Sequence, residues 1–180
     1  DLTEECLKSL KKINYSNYKI ILVDNGSSDG SIEYLIKNYP ECHYIKSKKN
    51  LGFSGGNNLG MKYALEQNFE YIYLLNNDTE VHPFFLNEIT LEMDRNKSLG
   101  AAGSTIFYYK PSDIIWYAGG HANWISGDMV DPRVGHKLEL SNSEVEEVDE
   151  VAGAGMIIRS ESLKKIGLLD ERFFIYFEET

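Results

Sequence analysis

The chain has 180 residues, 42% hydrophobic and 26% charged, enough for one ordinary globular domain with a core of its own. A net charge of -10 excludes a general nucleic-acid binder, because phosphate contacts need clustered Lys and Arg. It leaves open a small phosphate-bearing ligand held through a metal ion or backbone N–H groups, and no apolar stretch is long enough to cross a bilayer as a helix.

In chain order, residues 2–12 read as a helix with Leu7 and Leu10 at helical spacing, and residues 18–23 (YKIILV) as a buried strand. A break at DNGSSDG precedes a helix over 31–39, stopped by Pro40, and a short strand over 43–46. A helix is predicted over 58–66 and a buried strand over 71–75 (YIYLL). Pro83 suits the first position of the next helix, whose inner face carries Leu86, Ile89 and Met93. Residues 101–108 read as a strand, 114–125 as an aromatic, Gly-broken hairpin and 134–150 as an acidic loop. A strand over 151–159 then leads into a helix over 160–166 closed by Gly167. Strands alternating with helices imply an α/β fold with a mostly parallel central sheet covered on both faces. Ligands bind such sheets outside the carboxyl ends of the strands. Starting at Asp1 inside a predicted helix and stopping at Thr180 after an acidic pair, the sequence reads as a fragment.

Four motifs sit where that geometry wants chemistry. Asp24 ends a strand and opens a tight turn with Asn25 and Gly26, suiting a hydrogen bond to a nucleotide base. Taken alone, an ordinary strand-to-helix turn is the commoner case. The run from Asn50 to Asn58 holds Gly55, Gly56 and Asn57. It reads either as a polar loop whose N–H groups and amides meet ligand oxygens, or as a flexible turn before a helix. Its glycine spacing is neither that of a P-loop nor that of the dinucleotide fingerprint. Asn76, Asn77 and Asp78 end a buried strand with hard oxygen donors, which suit Mn²⁺ or Mg²⁺ with a diphosphate completing the shell, or which simply cap the next turn. Glu178 and Glu179 follow the apolar run FFIYF. Such surroundings raise a carboxyl pKa toward general-base range, although solvated acids at a helix start are more common. Trp116 and Trp124 could stack on a sugar, with core or hairpin packing the commoner role, and the four histidines lack metal-ligand spacing.

Two cysteines, Cys6 and Cys42, make no disulfide framework and fit a reducing compartment as half-buried small groups. Of the sequons at Asn14, Asn25, Asn77 and Asn96, two fall in the loops of the site. Glycans there would block it, so a cytoplasmic location, extending to the inner face of the membrane, is expected.

In this order, VDNGSSDGS, NLGFSGGNNLG, LLNNDTEV and AGAGMIIRSESLKKIGLLDERFFIYFEET resemble the family 2 glycosyltransferases, in their rhamnosyltransferase-like branch. The resemblance implies a GT-A nucleotide-sugar-binding fold, a divalent metal (Mn²⁺ or Mg²⁺) and inverting transfer from a UDP- or dTDP-sugar. The implied acceptor is a saccharide or lipid-linked hydroxyl, in cell-surface polysaccharide synthesis, with membrane-surface association of the parent protein allowed. Asp24 corresponds to the base contact, Asn76, Asn77 and Asp78 to the DxD region with Asp78 as metal ligand, and Glu178 and Glu179 to the acidic pair whose second member is the base. On this reading residues 1–180 are a single, truncated domain, 1–108 its nucleotide-binding half and 109–180 its acceptor-side and catalytic-base half. Three departures stand out. Asn76 replaces an Asp, Glu179 stands where Asp is more usual, and the family's first strand and final C-terminal segment are missing. The alternatives are a nucleotide-sugar-binding domain without turnover in this truncated form, and a sugar nucleotidyltransferase, which would need a basic Gly-rich loop near the start.

Overall fold

The computed structural model describes residues 2–138 and 145–174. Helix α1 (Leu2–Leu10) buries Cys6, Leu7 and Leu10. Strand β1 (Ile21–Asp24), helix α2 (Ser31–Asn38) and strand β2 (His43–Lys46) form a βαβ unit with β1 and β2 parallel. Helix α3 (Gly52–Glu66) leads to β3 (Tyr71–Leu75), and α4 (Phe85–Arg95) to β4 (Ala101–Gly103). Strand β5 (Ile106–Phe107) pairs with β6 (Ile115–Tyr117), and β7 (His121–Asn123) with β8 (Asp128–Val130). Strand β9 (Gly155–Arg159) runs directly into α5 (Ser160–Ile166), whose end is capped by Gly167 at φ 95°.

The α/β class and the covering of both faces hold. All five residues of β9 are buried. Met156 and Ile158 pack with Met61 and Ala64 of α3 and Leu163 of α5, while Ile157 packs with Leu86, Ile89 and Met93 of α4 on the other side. Cys6 and Cys42 are fully buried rather than half-buried, in the cluster that α1 and α2 share with Tyr39. The sheet is less parallel than expected. Of the described strand pairs only β1–β2 is parallel, and β9 enters between β3 and β4 antiparallel to both. An apolar run carries no record of its direction, so pairing sense is invisible in the pattern.

Several boundaries move for identifiable reasons. Strand β1 starts at Ile21 and takes in Asp24, because Tyr18 is exposed and its hydroxyl turns back to the Leu10 carbonyl. Helix α3 starts at Gly52, six residues before the expected position. Helix α4 starts at Phe85, and Pro83 lies in the preceding turn, its carbonyl accepting the Asn14 N–H at 2.7 Å. The expected strand over 101–108 is two strands in different sheets, separated where Ser104 N–H bonds Gly155 O. The expected hairpin over 114–125 is likewise divided, β6 pairing backward and β7 forward.

One gap dominates the architecture. Lys19 reaches Tyr63 at the C-terminal end of α3, and Asn25 reaches Gly52 at its start, so β1 runs back along α3. Strand β3 also starts beside the end of α3, where Phe69 N–H bonds Ala64 O, so β1 and β3 point the same way without pairing. Between them lies a cleft of about 830 Å³, lined on its flanks by α1 and α3. Glu70 and Asn76 bond toward the β9 side. By antiparallel alternation Tyr71, Tyr73 and Leu75 therefore turn their backbone groups into the gap. Ile20 and Asp24 bond the β2 side, leaving Ile21 and Val23 facing it from the other edge. Among the described strands both edges are left unpaired along the cleft.

Candidate functional site

The C-terminal ends of β1 and β3 open on the same end of this cleft, and Asp24, Asn25, Ser27, Asn76 and Asn77 all line it. Asp24 is buried, with one carboxylate oxygen accepting the Ser27 N–H at 2.9 Å. That bond closes the turn through Gly26, whose φ of 90° is left-handed. A side chain at Gly26 would also meet the Lys49 carbonyl carbon at 2.7 Å, so glycine lets the loop after β2 lie against this turn.

The asparagines expected to face ligand are mostly occupied by the protein. Asn25 donates to Asn50 Oδ1 at 3.1 Å and to Gly52 O at 2.9 Å, and its own Oδ1 accepts the Leu51 N–H. Asn50 Oδ1 also accepts the Gly52 N–H. Gly56 packs against the Asn25 amide and Gly55 against Leu51. The polar run is thus the start of α3, stapled to the end of β1, not a free loop. Asn57 lines the cleft with its amide donated to Phe53 O one turn back. Asn58 is buried and points the other way, its amide donating to Leu169 O at 2.8 Å and accepting Leu169 N–H at 3.1 Å. Its amide also donates to Glu171 Oε1 at 3.0 Å.

The Asn76–Asp78 run divides. Asn76 and Asn77 line the large cleft, with Asn77 donating to Thr3 Oγ1 at 2.7 Å. Thr79 closes the turn onto Asn76 O. Asp78 is exposed and lines a neighbouring recess of about 230 Å³ with Leu2, Glu5, Thr79, Glu80 and Tyr109. The recess is negative. The carboxylate of Glu80, then that of Glu5, holds the Tyr109 hydroxyl above its ordinary pKa. Among the described residues no three His, Cys, Asp or Glu side chains gather as a metal cage. What is present fits a hard cation bound through one carboxylate and completed by ligand phosphates, since Asp78 is solvent-facing and oxygen-bearing.

Glu178 and Glu179 lie outside the described residues. Trp124 is 87% exposed in the turn between β7 and β8, so it is not a core side chain, and Trp116 is 43% exposed. What the sequence did not signal is a set of contacts from α3 to residues 169–174. Ser54, fully buried, donates to Phe173 O at 2.6 Å, and Phe53 N–H donates to Phe174 O at 2.8 Å. A lone serine inside a Gly and Asn run was the available hint.

A model of the family described as Glycosyl transferase family 2 matches residues 1–167. The chain is 29% identical over 186 residues to the low-salt glycan biosynthesis hexosyltransferase Agl10 of Haloferax volcanii, covering 98% of this chain and 56% of that protein. It is 20% identical over 172 residues to the dTDP-rhamnosyl transferase RfbF of Shigella flexneri, covering 95% and 54%. The chain therefore spans about half the length of these curated relatives. Among solved structures, TarS of S. aureus superposes with a TM-score of 0.66 at 13% identity, over 99% of this chain and 49% of that one. The mannosyltransferase PcManGT from Pyrobaculum calidifontis, solved with GDP-Man and Mn²⁺, superposes with a TM-score of 0.64 at 15% identity, over 94% and 44%. These likenesses show a shared GT-A fold.

Proposed function

The chain belongs to glycosyl transferase family 2, and from that premise we propose that it is the donor-binding and catalytic domain of an inverting, metal-dependent glycosyltransferase. The donor is a UDP- or dTDP-sugar and the acceptor a saccharide or lipid-linked hydroxyl, in cell-surface glycan synthesis at the cytoplasmic side of a membrane. Residues 1–108 form the donor half and residues 109–180 the acceptor and base half. The observation that carries this reading is the convergence of two strand ends, Asp24 and Asn76–Asn77, on one cleft mouth. Open α/β sheets take their ligands at that edge.

In this reading Asp24 accepts from the nucleotide base with the carboxylate oxygen not used by Ser27. Asn76 and Asn77 offer neutral oxygens and amides to the ligand, and Asp78 holds Mn²⁺ or Mg²⁺, which neutralises the leaving diphosphate when bound. Glu179, with Glu178 beside it, takes the proton from the acceptor hydroxyl. The acceptor oxygen forms its bond to the anomeric carbon as the bond to the diphosphate breaks on the opposite face, so configuration inverts.

The test is nucleotide release and product formation by the full-length protein, screened over UDP-, dTDP- and GDP-sugars with Mn²⁺. Glu179→Gln is expected to lower transfer by at least about 10²-fold with donor affinity preserved. Undiminished turnover in that variant rejects Glu179 as base. Donor binding without transfer by the wild type would instead favour a binding domain.

A further inference from the structure

The recess of about 230 Å³ beside the cleft mouth is walled by three segments far apart in the sequence. Leu2 and Glu5 come from the start of α1, Asp78, Thr79 and Glu80 from the run after β3, and Tyr109 from the loop between β5 and β6. Sites for drug-sized ligands run to roughly 300–1,000 Å³, so this one suits a single ring better than a whole nucleotide.

Its charges are unpaired. Glu4, one position earlier on α1, is bound to Lys8 at 3.0 Å, whereas among the described residues Glu5, Asp78 and Glu80 have no ion-pair partner. Three carboxylates alone make only a solvated face, and they repel a bare phosphate. The apolar part of the wall changes the reading. Leu2 is 60% exposed and Tyr109 66% exposed, and the charges of Glu80 and Glu5 both act on the Tyr109 hydroxyl. The loop carrying Tyr109 is closed by the Tyr108 N–H on Ile114 O at 2.9 Å. Lys110 Nζ lies 5.4 Å from the Tyr109 ring centroid, on a flexible stem that a ligand can displace. An exposed ring beside carboxylates matches a sugar, which is neutral, has a C–H face to stack and has hydroxyls to donate.

We propose that this recess holds the sugar of the donor, with the Tyr109 ring against its C–H face and the carboxylates of Glu80 and Glu5 accepting its hydroxyls. This rests on the functional reading above. In that reading the metal on Asp78 binds the diphosphate, and the sugar is bonded to the diphosphate, so it lies next to Asp78. Asp78 lines the recess and not the large cleft, whose mouth carries Asp24, Asn76 and Asn77. Glu5, Glu80 and Tyr109 are thereby specificity residues. They bear on which sugar is held and leave the nucleotide untouched.

The experiment is calorimetric titration of the full-length protein with Mn²⁺ present. It compares the UDP- or dTDP-sugar selected by the transfer screen with free UDP or dTDP. Tyr109→Ala and Glu80→Gln are each expected to weaken binding of the nucleotide-sugar by about tenfold, while the Kd of the free nucleotide stays within about twofold. Tyr109→Phe, which keeps the ring, stays within about threefold of the wild type for both ligands. Both positions are exposed, and unchanged binding of the free nucleotide reports that each variant is folded. Unchanged affinity for the nucleotide-sugar in Tyr109→Ala or in Glu80→Gln overturns the sugar recess, as does an equal loss for both ligands. Either result leaves donor binding by the wild type, and so the functional reading, in place. A wild type that binds neither ligand defeats the functional reading and the recess together.

Discussion

Asn25, Asn50 and Asn58 show how a polar side chain beside a ligand edge divides its work. Each was a candidate ligand contact, and each has its amide group engaged by the protein: Asn25 and Asn50 with one another and with Gly52, and the buried Asn58 with the Leu169 backbone. Buried donors and acceptors left unpaired cost about 1–3 kcal/mol each, so the protein uses its asparagines first to satisfy itself. Asp24 keeps one carboxylate oxygen in the same kind of bond, with Ser27, and on the proposed reading the other accepts from the nucleotide base. Away from the edge, Tyr44 makes a testable statement about pH. Its hydroxyl reaches the carbonyls of Leu35 and Tyr39, both at 2.9 Å, and burial pushes its pKa up to about 12. The folded value lies above the ordinary 10.0, so the stabilisation is complete below pH 10 and is lost as pH rises toward 12. Denaturant titrations across that window should show stability falling in the wild type and falling less steeply in Tyr44→Phe. Equal slopes would mean Tyr44 does not govern the alkaline limit.

At the scale of elements, α3 is the organising piece. Its first turns are glycine-rich, and Gly costs roughly 0.5–1 kcal/mol in a helix interior, yet the helix forms there because both of its sides are docked. Gly52→Ala should expose that dependence. The left-handed φ and the collision with Phe174 are together expected to cost about 1–3 kcal/mol in equilibrium denaturation. Wild-type stability in this variant would show that residues 169–174 are not held at Gly52. The same helix marks the limit of what the sequence revealed. Apolar runs such as YIYLL announced β3 correctly, as did the residues of α2, β2 and α5. The start of α3 was hidden because local propensity spoke for a loop and only tertiary contacts, to Asn25 on one side and to partners more than 100 residues away on the other, overrule it. The antiparallel entry of β9 was hidden because β9 is buried at every position and so reads as the continuous apolar run usual for a parallel strand. The strand ends at Asp24 and Asn76 were legible, since a polar cluster after a buried run is a local feature.

For the molecule as a whole, the two sheet edges facing each other across the cleft set the layout. The parallel unit of β1 and β2 and the antiparallel sheet of β3, β9 and β4 share α3 as a common cover. Their strand ends open on one mouth, where Asp24, Asn76 and Asn77 stand, with Asp78 in the adjoining recess. The proposal that this mouth is a nucleotide-sugar site whose metal is held by one protein carboxylate, Asp78, is tested most directly by calorimetric titration of the selected UDP- or dTDP-sugar into the full-length protein. The titration compares Mn²⁺ with EDTA, and wild type with Asp78→Ala. Binding that requires Mn²⁺ and weakens by at least about tenfold in Asp78→Ala is the predicted result, corresponding to the loss of about 1.4 kcal/mol or more. Equal affinity in the wild type and Asp78→Ala, with or without the metal, would contradict it.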